Sequence, residues 1–276
     1  MKTALPGVSE RRVCRVLSVT RSSLSPRPTS STRPVHVASH LVARIAELIR
    51  SYPTFGYRRL WAMLRRDGLR INRKAVYRVL KIQGWFVNQR TTTARPRAQG
   101  RRSRTEVSDR RWAMDVTHIP CGRDGWAHLA AVIDCHDREV IGFEFARRGR
   151  AREAERALEE ACLRRFGTLR PGGPTPVLRS DNGLIFQSRR FRAACRDYRL
   201  EQEFITPYTP EQNGLIERFF RSLKEECVWQ HNFTDFAQAR QAVTRWIDWY
   251  NRHRPHQSLK YLSPAEFRGR QAQLVA

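Results

Sequence analysis

The chain has 276 residues, 40% of them hydrophobic, with 52 Lys and Arg against 26 Asp and Glu and a formal charge of +26. That length and apolar content support one or two domains with a packed core and argue against wholesale disorder. No apolar run approaches the ~20 residues of a membrane span, and the start MKTALPGVSERR lacks a secretory apolar stretch, so a soluble intracellular protein with a polyanionic partner and no membrane is expected.

The charge is uneven. Residues 1–104 hold 24 Lys and Arg and 3 acids, a net +21, whereas residues 105–276 hold 28 and 23, a net +5. A nucleic-acid-binding front and a more ordinary globular back are expected from this asymmetry. Arg (47) far outnumbers Lys (5), as GC-rich coding favours, but coding bias does not explain an excess of cations over anions in one half. The six cysteines (Cys14, Cys121, Cys135, Cys162, Cys195 and Cys227) form no C-x-x-C pair. Reduced thiols are therefore expected rather than a zinc site or a disulfide framework.

In chain order, residues 9–17 (SERRVCRVL) suggest a short helix capped by Ser9, and residues 21–37, rich in Ser, Pro and Arg, read as an exposed linker. Leu41, Val42, Ile45, Leu48 and Ile49 form an apolar stripe at helical spacing, broken at Tyr52-Pro53-Thr54-Phe55-Gly56. A second helix is predicted over 57–66 and a third over 73–83, capped by Asn72 and ended by Gly84. Three short helices with tight turns fit a helix-turn-helix domain. The last presents Arg73, Lys74, Arg78 and Lys81 on its polar side and is the candidate for the major groove. Such a face can also be merely solvated; the overall charge favours DNA contact. Residues 88–105 read as a basic, flexible linker able to track phosphates.

From residue 106 the texture changes. Strands are predicted over 110–119, 126–134, 139–145, 175–179 and 200–204, and helices over 151–166, 188–197, 211–229 and 234–250. The order β-β-β-α-β-α-β-α-α calls for a layered α/β core with a mixed sheet. Three acids stand out. Asp115 lies inside the first strand, where a carboxylate is unfavourable unless paired or metal-bound. Asp181 directly follows the fourth strand, the end at which open α/β sheets bind ligands. Glu217 sits in the 211–229 helix, with 35 residues between it and Asp181. Such triads hold two divalent cations that activate an attacking oxygen and stabilise a leaving one, and oxygen-only ligands suit magnesium or manganese. Each acid also has a plainer reading. Asp-Asn-Gly is a common turn, a lone helical Glu is usually solvated, and Asp134 and Asp137 read as turn residues.

The surrounding residues add a resemblance. WAMDVT (112–117), RSDNG (179–183) and TPYTPEQNGLIERFFRSLK (206–224) resemble the retroviral-integrase-type DDE core. The tail YNRHRPHQSLKYLSPAEF (250–267), with the helix-turn-helix within 41–85, is similar to the OrfB transposases of the insertion-sequence-three family. The likeness covers roughly residues 9–267. It implies a ribonuclease-H-like core with a mixed five-stranded sheet, preceded by an all-helical helix-turn-helix domain. It implies Asp115, Asp181 and Glu217 as catalytic ligands of two Mg2+ ions, with Mn2+ an alternative. Lys224, two helical turns after Glu217, matches the basic residue of the active-site helix; Gln212 and Asn213 match polar residues that approach DNA near the cleavage site. Tyr250, Asn251, Arg254, Pro255 and His256 read as structural or DNA-backbone contacts; His256 could serve as a general base, but two-metal chemistry does not require one.

The domains expected are a basic segment with a short helix and linker (1–40), the helix-turn-helix (41–86), the basic linker (87–105), the catalytic core (106–229) and a C-terminal helical extension packed on the core (230–276). The implied activity is metal-dependent phosphodiester cleavage at element ends followed by 3′-hydroxyl strand transfer. The implied partners are double-stranded DNA (terminal inverted repeats and target), a homo-oligomer on that DNA, and an upstream protein or a fusion with it. The chain starts at its own Met without a leucine heptad run, so on its own it is expected to recognise element ends incompletely. The expected location is the bacterial cytoplasm, at the nucleoid when DNA is bound. Two rivals are a non-catalytic DNA-binding regulator or domesticated derivative, which would need the basic half but not the carboxylates, and a generic ribonuclease-H-like nuclease.

Overall fold

The computed structural model describes residues 8–20, 38–87, 105–207 and 209–275. The linkers expected over 21–37 and 88–104 lie outside the described residues. The chain divides into two compact units, residues 1–43 and 44–276. In the first, α1 (Glu10–Val16) follows Ser9, whose side chain makes no capping bond. Helix α2 (Ser39–Ser51) runs across the division and buries Ile45 and Leu48.

The helix-turn-helix forms where the apolar stripes and caps placed it. Helix α3 (Tyr57–Arg66) buries Leu60 and Leu64, and α4 (Arg73–Gln83) buries Val76, Val79 and Leu80. The Asn72 side chain accepts from the Lys74 amide at 2.9 Å, satisfying an N-terminal donor that the helix cannot satisfy itself. Gly84 ends α4 in the left-handed region at φ +67. Between the helices, the Trp61 indole donates to the Ile71 carbonyl at 2.7 Å.

The expected mixed five-stranded sheet is present: β1 (Arg111–Pro120), β2 (Trp126–Asp134), β3 (Val140–Ala146), β4 (Val177–Ser180) and β5 (Glu201–Phe204), in the order β3-β2-β1-β4-β5. Strands β1, β2 and β3 pair antiparallel, while β4 pairs in parallel with both β1 and β5. Because strand side chains alternate, the two faces feed two cores. Trp112, Met114, Ala130 and Val132 join α5 (Ala151–Phe166) and α7 (Arg189–Asp197) on one face. Ala113, Ile119, Leu129 and Ala131 join α8 (Gly214–Glu226) and α9 (Phe236–Arg252) on the other. Gly142 lets α5 lie close on β3: a Cβ there would stand 2.1 Å from the Ala157 carbonyl oxygen. At the β2–β3 turn, Asp134 accepts from the amides of His136 and Asp137 at 2.7 and 3.0 Å, as a turn residue does.

Three elements differ from expectation. The predicted 211–229 helix is divided: a 3₁₀ turn (Pro210–Asn213) leads into α8, and Cys227 leaves helical geometry at φ −128, ψ −65. A single helical turn, α6 (Leu184–Gln187), follows Asp181. A last helix, α10 (Pro264–Val275), follows the tail motif. Tail residues act as braces. The Asn251 amide bonds both Val140 N (2.9 Å) and Val140 O (2.8 Å), which edges β3. Arg254 pairs with Glu226 at the end of α8, bonding both carboxylate oxygens at 2.7 and 2.6 Å.

Candidate active site

Sheet register brings the first two acids level. Ala113 of β1 pairs in parallel with Arg179 of β4, and two residues further along come Asp115 and Asp181. Asp115 projects on the Ala113 face, toward α8, whose first turn carries Glu217. Each aspartate gives one oxygen to a backbone amide: Asp115 Oδ1 accepts from Val116 N at 2.7 Å, and Asp181 Oδ1 from Gly183 N at 2.9 Å. Those bonds fix the Asp115 carboxylate within β1 and the Asp181 carboxylate just beyond the end of β4.

Burial first, then the Asp181 and Glu217 carboxylates, raise the Asp115 carboxyl to about 7 against the Val116 bond. Lys224, half-buried two turns along α8, acts on Asp115 in the opposite sense. The three acids and the lysine, scattered over 110 residues, therefore share one electrostatic neighbourhood. Among the described residues, no group of three or more His, Cys, Asp or Glu closes to metal-ligand spacing. The donor chemistry nonetheless fits a hard divalent cation: all donors are carboxylate oxygens, and their mutual repulsion is what a cation would relieve.

Gln212 and Asn213, expected at DNA, both lie in the 3₁₀ turn, Gln212 half-buried and Asn213 buried. Gln212 Oε1 accepts from Thr206 N at 2.9 Å and its Nε2 donates to Thr206 Oγ1 at 3.1 Å. Asn213 is 2% exposed, and its Nδ2 donates to the Met114 carbonyl at 3.5 Å. His256 is buried too, ring to ring with Tyr250 at 4.7 Å. Burial, then the cations Arg254, Arg138, Arg59 and Arg66, holds its pKa well below the histidine range. It remains neutral inside the tail brace.

Arg73, Lys74, Arg78 and Lys81 all lie on the exposed side of α4. Sequence reasoning missed the aromatics among them. Tyr77 is 44% exposed, edge-on to Tyr57 at 5.2 Å and beside Phe86, and Arg73 stands over the Trp61 ring. The place of Tyr77 one turn before Lys81, between Arg73 and Arg78, was the available signal. Sequence reasoning also missed Arg179 and Glu226. Glu226, on the last turn of α8, pairs with both Arg254 and Arg59 of α3. Burial raises its pKa, but the two guanidiniums outweigh burial and hold it below the usual carboxylate range.

The chain matches the Integrase core domain family over residues 106–210 and 198–264 and the HTH-like domain family over 37–92. It is 32% identical over 266 residues to the 39.2 kDa protein of insertion element IS476 from Xanthomonas euvesicatoria, spanning 94% of this chain and 72% of that protein. It is 30% identical over 235 residues to transposase InsD of the IS2 elements of Escherichia coli, spanning 82% and 77%. In fold it is similar to the simian T-cell lymphotropic virus intasome structure solved with PP2A regulatory subunit B56 gamma, with a TM-score of 0.50 at 18% identity over 81% of this chain and 73% of that one. Sheet order, layering and matched domains define an integrase-core polynucleotidyl transferase. Within that class, the chain belongs to the OrfB-type transposases of the insertion-sequence-three family.

Proposed function

We propose that Asp115, Asp181 and Glu217 are the catalytic triad of this transposase and hold two divalent cations, magnesium or manganese. One observation carries the reading: Asp115, in a strand interior, feels the charges of Asp181, Glu217 and Lys224 together. When bound, the cations would activate an attacking oxygen and stabilise the leaving oxygen of a phosphodiester, first in cleavage at an element end and then in strand transfer. The chain's own groups do the positioning. Backbone amides of Val116 and Gly183 orient the two aspartates. Lys224, on the Glu217 side of α8, meets a phosphate near the carboxylates. Arg73, Lys74, Arg78 and Lys81, with Tyr77 among them, face the DNA on the side of α4 that enters the major groove.

The division into 1–40, 41–86, 87–105, 106–229 and 230–276 is proposed on the same footing. So are bridging of two DNA ends by a multimer, an upstream partner protein, and work in the cytoplasm at the nucleoid. No helix among the described residues is long and apolar enough to cross a membrane. The test is strand joining on end-sequence DNA with Mg2+, Mn2+ or a chelator. Activity should need the metal and vanish in Asp181→Asn and Glu217→Gln. Joining retained by either variant overturns the triad.

A further inference from the structure

We propose that Arg179 is a positioning residue that sets the spacing of the three carboxylates, an inference that rests on the triad reading. Arg179 is 1% exposed, in β4, two residues before Asp181. Its Nε and Nη2 grip the two oxygens of Glu203 at 2.9 and 3.1 Å, across the β4–β5 register pair Arg179↔Glu203. Its Nη1 leaves the sheet and donates to the Gln212 carbonyl at 2.8 Å. Gln212 lies five residues before Glu217, in the turn that launches α8. The next residue, Asn213, is pinned to the Met114 carbonyl, one residue before Asp115.

The turn is thus tied at adjacent residues to the strands that bear the two aspartates, and each anchor lies within five residues of a carboxylate. Charge neutralisation does not require this. Arg111 also pairs with Glu203, at 3.0 Å, and would balance it alone. Packing does not require it either, since buried ion pairs replaced by apolar residues of similar volume are often as stable or more so. What only a guanidinium supplies is a planar fork with a third arm, able to hold Glu203 and a backbone carbonyl at once. Lysine can pair with Glu203 but cannot reach both.

Arg179→Lys decides the matter, with Arg179→Met/Glu203→Gln as the companion that removes both charges of the Arg179–Glu203 pair and leaves the partly exposed Arg111 to water. In cation-free protein, amide hydrogen exchange over 206–217 should quicken ~10-fold or more in Arg179→Lys, while 111–134 stays protected. With DNA and Mg2+, strand-joining kcat should fall ~10-fold or more, with KM for DNA within ~2-fold, because displacing a reacting group by about an ångström reduces rate rather than binding. The double variant should lose kcat alike at near-parental melting temperature. Parental exchange over 206–217 together with parental kcat in Arg179→Lys overturns the proposal, as does a folded double variant of parental activity. Asp181→Asn is measured alongside. If it still joins strands, the triad reading fails, while the cation-free exchange of Arg179→Lys still reports on the turn.

Discussion

Asp115 sits where burial and two neighbouring carboxylates hold a proton on it up to about pH 7, far above a free aspartate. A folded-state pKa raised above the unfolded one means stability that is present at low pH and lost as pH rises from about 4 through 7. In chelator, the melting temperature of the core should therefore fall between pH 5 and 8, with ~1.4 kcal/mol lost for each tenfold difference in proton affinity between the folded and unfolded chain. Mg2+ or Mn2+ should restore more stability at pH 8 than at pH 5, because at pH 5 the cation must first displace the proton. Asp134, also pushed up to about 7 by burial and then by Asp137, contributes a similar slope away from the site. Hence Asp115→Asn should flatten only part of the profile but remove the cation's effect, as scanning calorimetry would read. A cation response that survives in Asp115→Asn places the metal elsewhere. Gly183 makes a finer probe. A Cβ there would stand 2.9 Å from Asp181 Oδ1, so Gly183→Ala should shift that carboxylate and lower joining ~10-fold or more without unfolding the chain. Joining at the parental rate would mean Asp181 has room to spare.

At the scale of elements, the C-terminal end of α8 meets α3 and the tail at Glu226. Removing the carboxylate leaves Arg254, 8% exposed, without its charge partner, so Glu226→Ala should destabilise by ~3–5 kcal/mol in chemical denaturation. A change under ~1 kcal/mol would mean that water or another acid replaces it. Helices α3 and α4 and their caps were legible in sequence because their signals are local: an apolar stripe, Asn72, Gly84. The strands were legible through alternation and turn residues, and the carboxylates through motif resemblance. Helix α10 was not, since PAEFRGRQAQLV carries no apolar stripe. Distant partners hold it instead, with Arg66 on Glu266, His136 on Gln271 and Asp109 on Arg268. The inward turn of Asn213 and the Arg179–Glu203 pairing were equally hidden. Both depend on which residues face each other across β1, β4 and β5, and register is a property of the assembled sheet. The single predicted helix over 211–229 failed for the same reason: its helical composition did not reveal that the first turn is drawn off by bonds to β1 and β4.

Over the whole molecule, the charge of +26 has a division of labour. The basic front has 3 acids for its 24 cations, so most of its charge has no local counterpart to compete with phosphates, whereas many arginines behind residue 105 are engaged with Asp and Glu. Lowering the front's charge should weaken binding to all sequences and flatten its salt dependence. The double variant Arg78→Ala/Lys81→Ala should reduce the slope of log K against log salt by about 2, near 0.9 per lost contact, in fluorescence anisotropy titrations. An unchanged slope would remove α4 from the DNA path.

The brace between Asn251 and Val140 also sets an order of events at the ribosome. Its two bonds span 111 residues, and at about 5–20 residues per second Val140 is made ~6–20 s before its partner exists. During that interval the start of β3 has no amide to satisfy its backbone, and α9 has not arrived to cover that face of the sheet. Asp115, Asp181 and Glu217 are all translated earlier than the residue that closes the fold around them. A nascent chain cut short between Glu217 and the tail motif would carry all three acids and still lack the closed core on which they stand. Production of working enzyme is thereby tied to translation through the tail motif.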